Sequence, residues 1–431
     1  MKRFTVFVLL VSLIIPAIFA SGGTQQPTGP ITLNFWTHED AARTRIEERY
    51  ISEFEAANPN VKVERTTQSS SKIIELVQTA FAANQGPDIF NLSIEDEYAY
   101  ITNGRVAPVN FEAAGYGSRS AFVNAYDSQF LAPVTYNNNI YGIPLELTNW
   151  CIYVNKNVFR SVGLDAEKDY PKTWEEMMTI SEKLVIRNGD IITRRGFDFR
   201  YPYYLVACVP MVEQLGGKLV SDDGKTAIVG DQAWLSFLRY MRDWGPHGKN
   251  LGSPTYTNAR SLFNANNNDI TMAHTGLYQQ GRIKNENPAF YDSKDWMVIP
   301  YPKFANAVND TAACFYGHYY MVNAQSSKAN QDMAWKLIGY MLSHSEEYLQ
   351  EVMMIQPTKA LLNSPVYKSM PYSDIFTSDM QRGHIVYYSA HSAELQNLIR
   401  AAVEAVMLSG ETPERALATL KAAAQELINE G

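Results

Sequence analysis

Between residues 31 and 92 the chain reads strand, helix, strand, helix, strand, and no other stretch limits the fold as tightly. Ile31-Thr32-Leu33-Asn34-Phe35-Trp36 alternates apolar and polar residues like a half-buried strand. A helix of about Ala41 to Asn58 follows and is stopped by Pro59. Val61-Lys62-Val63-Glu64 is the next strand, and Ser71 to Asn84 the next helix, with Ile73, Ile74, Val77, Ala80 and Phe81 on one face. Gly86-Pro87 ends it, and Asp88 to Leu92 is a third strand. Such alternation predicts a mostly parallel, doubly wound sheet. In such sheets ligands bind beyond the carboxyl ends of the strands. That points to Thr37-His38-Glu39 and to Leu92-Ser93-Ile94-Glu95.

At 431 residues the chain suits two or three domains. Further on, Cys151 to Asn155 reads as a buried strand, and Thr173 caps a helix starting at Trp174. Helices and loops are expected to dominate from 174 to 290, with a strand near Trp296 to Pro300. Helices are expected at Trp335–Leu342, at Leu395–Met407 and from Pro413 onward.

The N-terminus reads as an export signal. Lys2 and Arg3 precede an apolar run from Phe4 to Ile15, Pro16 breaks it, and Ala20 offers a cleavage position. The run is shorter than the roughly 20 residues of a membrane span. No Cys follows it, so an acyl anchor is not expected. Residues 21–30 read as a flexible leader. The mature protein is expected to be exported, periplasmic or secreted. A net charge of −8 argues against nucleic acid as a partner, which needs a basic surface. Cys151, Cys208 and Cys314 are far apart; an oxidising compartment would allow one disulfide and leave at least one free, and the preferred reading is three buried small hydrophobes.

The motifs of enzymes are missing or isolated. Ser69-Ser70-Ser71-Lys72 matches S-x-x-K, but its companion motifs S-D-N and K-T-G are absent. There is no G-x-S-x-G, H-E-x-x-H, P-loop or G-x-G-x-x-G. The seven histidines show no metal spacing, so neither metal nor cofactor is expected. Glu95-Asp96-Glu97 reads as a solvated acidic face.

A series of short signatures runs through the chain in order. They are Leu33-Asn34-Phe35-Trp36, Phe54 to Val63, Gly86-Pro87-Asp88-Ile89, Tyr141-Gly142-Ile143-Pro144, Tyr153-Val154-Asn155-Lys156 and Thr173-Trp174-Glu175-Glu176. Gln214-Leu215-Gly216-Gly217, Met272 to Gly276 and Ser326-Ser327-Lys328 complete them. Together they make the chain resemble the family 1 extracellular solute-binding proteins, the group that includes maltose-binding protein. The resemblance implies an α/β fold of two lobes, each a mostly parallel sheet flanked by helices. It implies a first lobe of 31–145 and 298–355 and a second of 146–297 and 356–431. It also implies a monomer that closes on a small molecule, a sugar, and hands it to an ABC permease in the inner membrane. It implies no chemistry.

The same resemblance places candidate ligand contacts at Trp36, His38 and Glu39 after the first strand, and at Ser93 and Glu95 after the third. Glu146, Asn149 and Trp150 lie at the first crossing between lobes, and Tyr203 and Tyr204 lie upstream of Gly216. Tyr278, two residues after Gly276, is the strongest candidate, because its ring can stack on the C–H face of a sugar. Phe315, Tyr316 and His318 are expected just ahead of a returning strand, where Gly317 would let a backbone approach closely. Tyr387, Tyr388 and His391 are later candidates. None of these is Lys or Arg, which disfavours a phosphorylated solute. A non-sugar solute (polyol phosphate, polyamine or peptide-like) and a secreted glycan hydrolase remain as alternatives.

Overall fold

A computed structural model describes residues 29–201, 203–221, 225–313, 315–385, 389 and 391–430. The expected signal segment, most of the leader, Cys314, Tyr387 and Tyr388 lie outside the described residues.

Two five-stranded sheets organise the chain. The first is built from β1 (Ile31–His38), β2 (Val61–Gln68), β3 (Ile89–Ser93), β6 (Ile143–Thr148) and β12 (Tyr316–Val322), in the order β2-β1-β3-β12-β6. The second has the order β11-β7-β10-β9-β8, with β7 at Cys151–Asn155, β8 at Ile186–Asn188, β9 at Ile191–Asp198, β10 at Ile270–Thr275 and β11 at Trp296–Ile299. A small hairpin pairs β4 (Thr135–Tyr136) with β5 (Asn139–Ile140).

The β-α-β-α-β opening is present: β1 pairs in parallel with both β2 and β3. Strands that arrive from the opposite sheet run the other way. β12 is antiparallel to β3 and β6, and β7 is antiparallel to β10 and β11. The physical reason is connectivity. A parallel neighbour needs a crossover helix, whereas a strand entering from the other side can pair antiparallel at once. The region 174–290, expected to be helix and loop, instead supplies β8, β9 and β10 of the second sheet. The strand following the first crossing on return is β12 itself, so Tyr316 and His318 lie within it and not ahead of it.

Each sheet has its own core. Phe35, Phe54, Phe90 and Trp335 fill the first. Trp174, Trp234, Trp244 and Phe199 fill the second, and the C-terminal helices Ser392–Met407 and Pro413–Glu430 pack against helix Gln232–Trp244 there. Thr173 closes a capping box with Glu176, which fixes the start of helix Trp174–Leu184. Asp88 braces the first lobe: its carboxylate accepts from Asn34 N at 2.9 Å and from Ser326 Oγ at 2.6 Å. Cys151 and Cys208 are buried free thiols. Among the described residues, no helix is long and apolar enough to cross a membrane.

The chain passes between sheets at Asn149-Trp150, and again between Ile299 and Tyr316. The ends of β1, β6, β9 and β10 and the start of β12 therefore converge on one space.

Candidate functional site

That space is a cavity of about 600 Å³ lined from both sheets. Its first wall is set on strands. His38 ends β1, Glu146 lies in β6 and His318 lies opposite Glu146 in β12. Gly317 makes that register possible: a Cβ there would stand 2.0 Å from the Glu146 carbonyl oxygen. The His38 and His318 rings stack at 4.2 Å. Asn91 Oδ1 accepts from the Thr37 hydroxyl at 2.6 Å, so its amide nitrogen faces His38 Nδ1 at 2.8 Å and donates to it. His38 then carries its proton on Nε2. Burial, followed by the Arg43 charge, holds its pKa well below the ordinary histidine value, so the ring is neutral at pH 7. His318 donates through Nδ1 to Glu146 Oε1 at 3.2 Å, and in the neutral ring this tautomer has Nε2 as an acceptor. The wall thus offers a donor and an acceptor side by side.

Arg43 stands behind it, fully buried, donating to the His38 carbonyl oxygen and, at 2.9 Å, to Thr37 Oγ1. His38, Glu146 and His318 also offer ligand atoms within 4.8 Å of one another, a spacing that could accept a divalent cation.

The second wall is aromatic and cationic. Tyr278 begins helix Tyr278–Glu286, and Arg282 sits one turn on with its guanidinium 5.3 Å from the Tyr278 ring centre. Gly276 leaves room for that ring, since a Cβ there would lie 2.8 Å from Tyr278 Cε1. Arg200, just past β9, lies 4.7 Å from the Trp150 ring centre and 5.1 Å from that of Tyr203. It donates to Thr275 Oγ1 at 3.1 Å. Arg260, on helix Ala259–Ala265, completes the wall. Burial, then the charges of Arg282 and Arg200, lower its pKa to about 10. Among the described residues one ion pair joins the two walls: Arg282 to Asp40, at 3.2 Å.

The profile of the bacterial extracellular solute-binding proteins matches residues 39–348. The chain belongs to this family. It is 21% identical over 303 residues to a multiple sugar-binding protein of Streptococcus mutans, a match covering 65% of each chain. The chain thus spans less than two thirds of that relative's length. Among solved structures it is similar to a Thermotoga lettingae ABC transporter solute-binding protein bound with α-D-tagatose (TM-score 0.80, 19% identity, 92% of this chain and 100% of that one). It is also similar to the maltose/maltodextrin-binding domain of Bdellovibrio bacteriovorus bound to maltotriose (TM-score 0.77, 19% identity, 93% and 100%). The two-lobed fold is therefore that of the solute-binding proteins, a family of extracellular binding proteins.

Within this solute-binding protein the candidate residues divide. His38, Glu39, Glu146, Tyr203, Tyr278, Tyr316 and His318 line the cavity. Trp150 lies just behind, with Tyr203 at 5.5 Å and Tyr316 at 5.2 Å between ring centres. Asn149 is buried beside it. Trp36 packs against the first core, and Phe315 packs there on Phe130 at 5.2 Å. Tyr204 turns into the second core beside Tyr201, at 5.5 Å. Ser93 donates to Asp96 Oδ2 at 2.7 Å, away from the lining. Tyr388 lies outside the described residues, and His391 precedes helix Ser392–Met407.

Two expectations need correction. Glu95-Asp96-Glu97 is not a solvated face: Glu95 and Glu97 are buried where β3 turns into helix Glu97–Thr102. Burial, then Asp96, raises the Glu95 pKa to about 7. The cleft is not free of basic residues, because Arg200, Arg260 and Arg282 all line it. Arg282 carried a usable signal, standing four residues from Tyr278 and hence on the same helix face.

Proposed function

We propose that the protein captures a sugar or short oligosaccharide between its lobes and delivers it, as an exported monomer, to an ABC permease. The observation that carries this reading is a single cavity walled from both sheets. A ligand touching both walls favours the closed arrangement, because only differential contact shifts such an equilibrium. The volume, about 600 Å³, falls inside the roughly 300–1,000 Å³ common for small-molecule sites. The contents suit a saccharide. Tyr278 offers a flat face for C–H groups, while His38 Nε2 and His318 Nε2 offer a donor and an acceptor. A sugar hydroxyl both donates and accepts, so such a pair can satisfy one hydroxyl fully. The relatives whose names or bound ligands are sugars point the same way.

Trp150, wedged behind Tyr203 and Tyr316, supplies a reporter. Titration with mono- and oligosaccharides should give a saturable change in tryptophan fluorescence. Silence across such a panel, with the protein shown to be folded, would sink the reading.

A further inference from the structure

Arg200 and Arg260 are unusual for what they lack. Among the described residues neither lies within 4.0 Å of a carboxylate. Arg200 meets only neutral acceptors, the hydroxyls of Thr275 and Tyr203, and the Arg260 side chain has no hydrogen-bond acceptor among the described residues. Both line the main cavity, and both also line an adjoining one of about 240 Å³ that runs in toward Tyr256 and His274. A guanidinium presents five donors in a planar fork suited to carboxylate or phosphate, and here two of them stand in a partly buried wall with no anion beside either among the described residues. Arg282, by contrast, is neutralised by Asp40. The carboxylates of the cleft are otherwise engaged: Glu146 with His318, and Glu286 with the Asn264 amide at 2.7 Å. Glu39 is exposed at the rim.

We infer that the solute is a saccharide carrying a fixed negative charge, a uronic acid or a sugar phosphate, whose anionic group lies between Arg200 and Arg260 while its hydroxyls face His38 and His318. This rests on the sugar reading above and narrows it. The division of labour follows from the walls: the first presents polar donors and acceptors, and the second presents, in Arg200 and Arg260, two cations that no carboxylate pairs among the described residues. The depressed pKa of Arg260, set first by burial and then by the charges of Arg282 and Arg200, fits the same picture, since a bound anion would offset that repulsion.

The test is calorimetric titration of the full chain at pH 7 with matched pairs. Oligogalacturonates and oligoglucuronates are set against their neutral galactose and glucose counterparts, sugar 6-phosphates against free hexoses, and inorganic phosphate and citrate serve as sugar-free anions. An acidic saccharide should bind at least tenfold tighter than its neutral partner, and raising salt from 20 to 300 mM should erode that preference. The carboxylate and phosphate arms identify the source of the charge. Arg260→Gln should cut the acidic-to-neutral affinity ratio at least tenfold, with Arg260→Lys retaining part of it. If Arg260→Gln does not fold, the salt dependence of the unmodified protein decides. Neutral saccharides binding as tightly as acidic ones would overturn this inference and leave the sugar reading standing. Binding of phosphate or citrate with no response to any saccharide would overturn the sugar reading and this inference together, as would silence throughout.

Discussion

The first wall of the cleft carries its polar groups on strands, at the end of β1, in β6 and in β12, whereas the second carries Arg260, Tyr278 and Arg282 on helices and Arg200 on a loop. Strand positions are held by the sheet ladder, and here also by a buried layer of Asn91, Thr37 and Arg43. Long arginine side chains have many rotamers and adapt. The difference suggests a division in which the rigid wall reads stereochemistry and the adaptable wall reads charge and stacking.

The sharpest way to break this comparison is at the glycines. Gly317→Ala would push a methyl against the Glu146 carbonyl, a backbone atom with no freedom to move aside. The expected cost is about 3 kcal/mol of stability, the upper range for overpacking, with loss of ligand binding. Gly276→Ala, on the other wall, meets the side chains of Thr148 and Tyr278, at 2.6 and 2.8 Å. Side chains can rotate, so chemical denaturation should show a smaller loss. Equal losses would remove the distinction between rigid and adaptable walls.

Behind the first wall the buried Glu95 adds a pH signature. Its folded pKa of about 7 lies above the ordinary 4.5, so the folded state favours the protonated form. The stability it confers is complete below about pH 4.5 and is lost as pH rises through 7. By linkage the loss is at most about 3 kcal/mol. Glu95→Gln should reduce the slope of that limb in urea melts between pH 4.5 and 8, the remainder belonging to Asp96 and Glu97, which burial also raises. Behind the second wall His274, held neutral by burial and then by Arg200 with a pKa near 3, acts with the opposite slope. Its contribution is present above about pH 6.5 and is lost as pH falls toward 3. A Glu95→Gln protein whose stability declines from pH 4.5 to 7 as steeply as the unmodified protein would assign that limb to other groups.

Tyr278→Ala tests the adaptable wall directly. Removing a stacking ring from a desolvated pocket should weaken ligand binding by about 2 kcal/mol, or roughly thirtyfold. Tyr278→Phe should keep most of the affinity, because the hydroxyl has no partner among the described residues. Equal losses in the two variants would assign the binding energy to the hydroxyl and not to the face.

The same contrast explains what could be read from the sequence. The first lobe was legible because its strands and helices alternate with clean periodicity, and His38 falls where β1 must end. Tyr278 was placed by the family resemblance, through the glycine two positions before it. β9 was not: Thr193-Arg194-Arg195 breaks the apolar alternation, since the outer end of that strand is partly exposed. β10 is buried on both faces and shows no alternation to find. With β9 missed, Arg200 had no strand end to be placed on. The burial of Glu95 and Glu97 is a tertiary fact, since the same three acidic residues would read as surface in any local window.

The smallest predicted effect concerns the ion pair between Asp40 and Arg282 that joins the walls. Asp40 caps helix Ala41–Ala57 by accepting from Arg43 N at 3.2 Å, and it also meets Arg282 across the cleft. Asp40→Asn keeps a good cap and deletes the charge, so it isolates the pair. Both side chains are partly exposed, at 23% for Arg282 and 11% for Asp40, which limits the pair to about 0.5–1 kcal/mol. Losing a contact present only when the walls meet favours the open form, so a neutral saccharide should bind about two- to fivefold more weakly. Small-angle scattering of the unliganded variant should show a larger radius of gyration. An acidic saccharide should lose less, because Arg282, freed from Asp40, becomes a third cation for the anion. The ratio of acidic to neutral affinity should therefore rise in Asp40→Asn, the opposite of its fall in Arg260→Gln. Movement of both ratios in the same direction would show that the arginines act on closure alone and do not read the charge of the ligand.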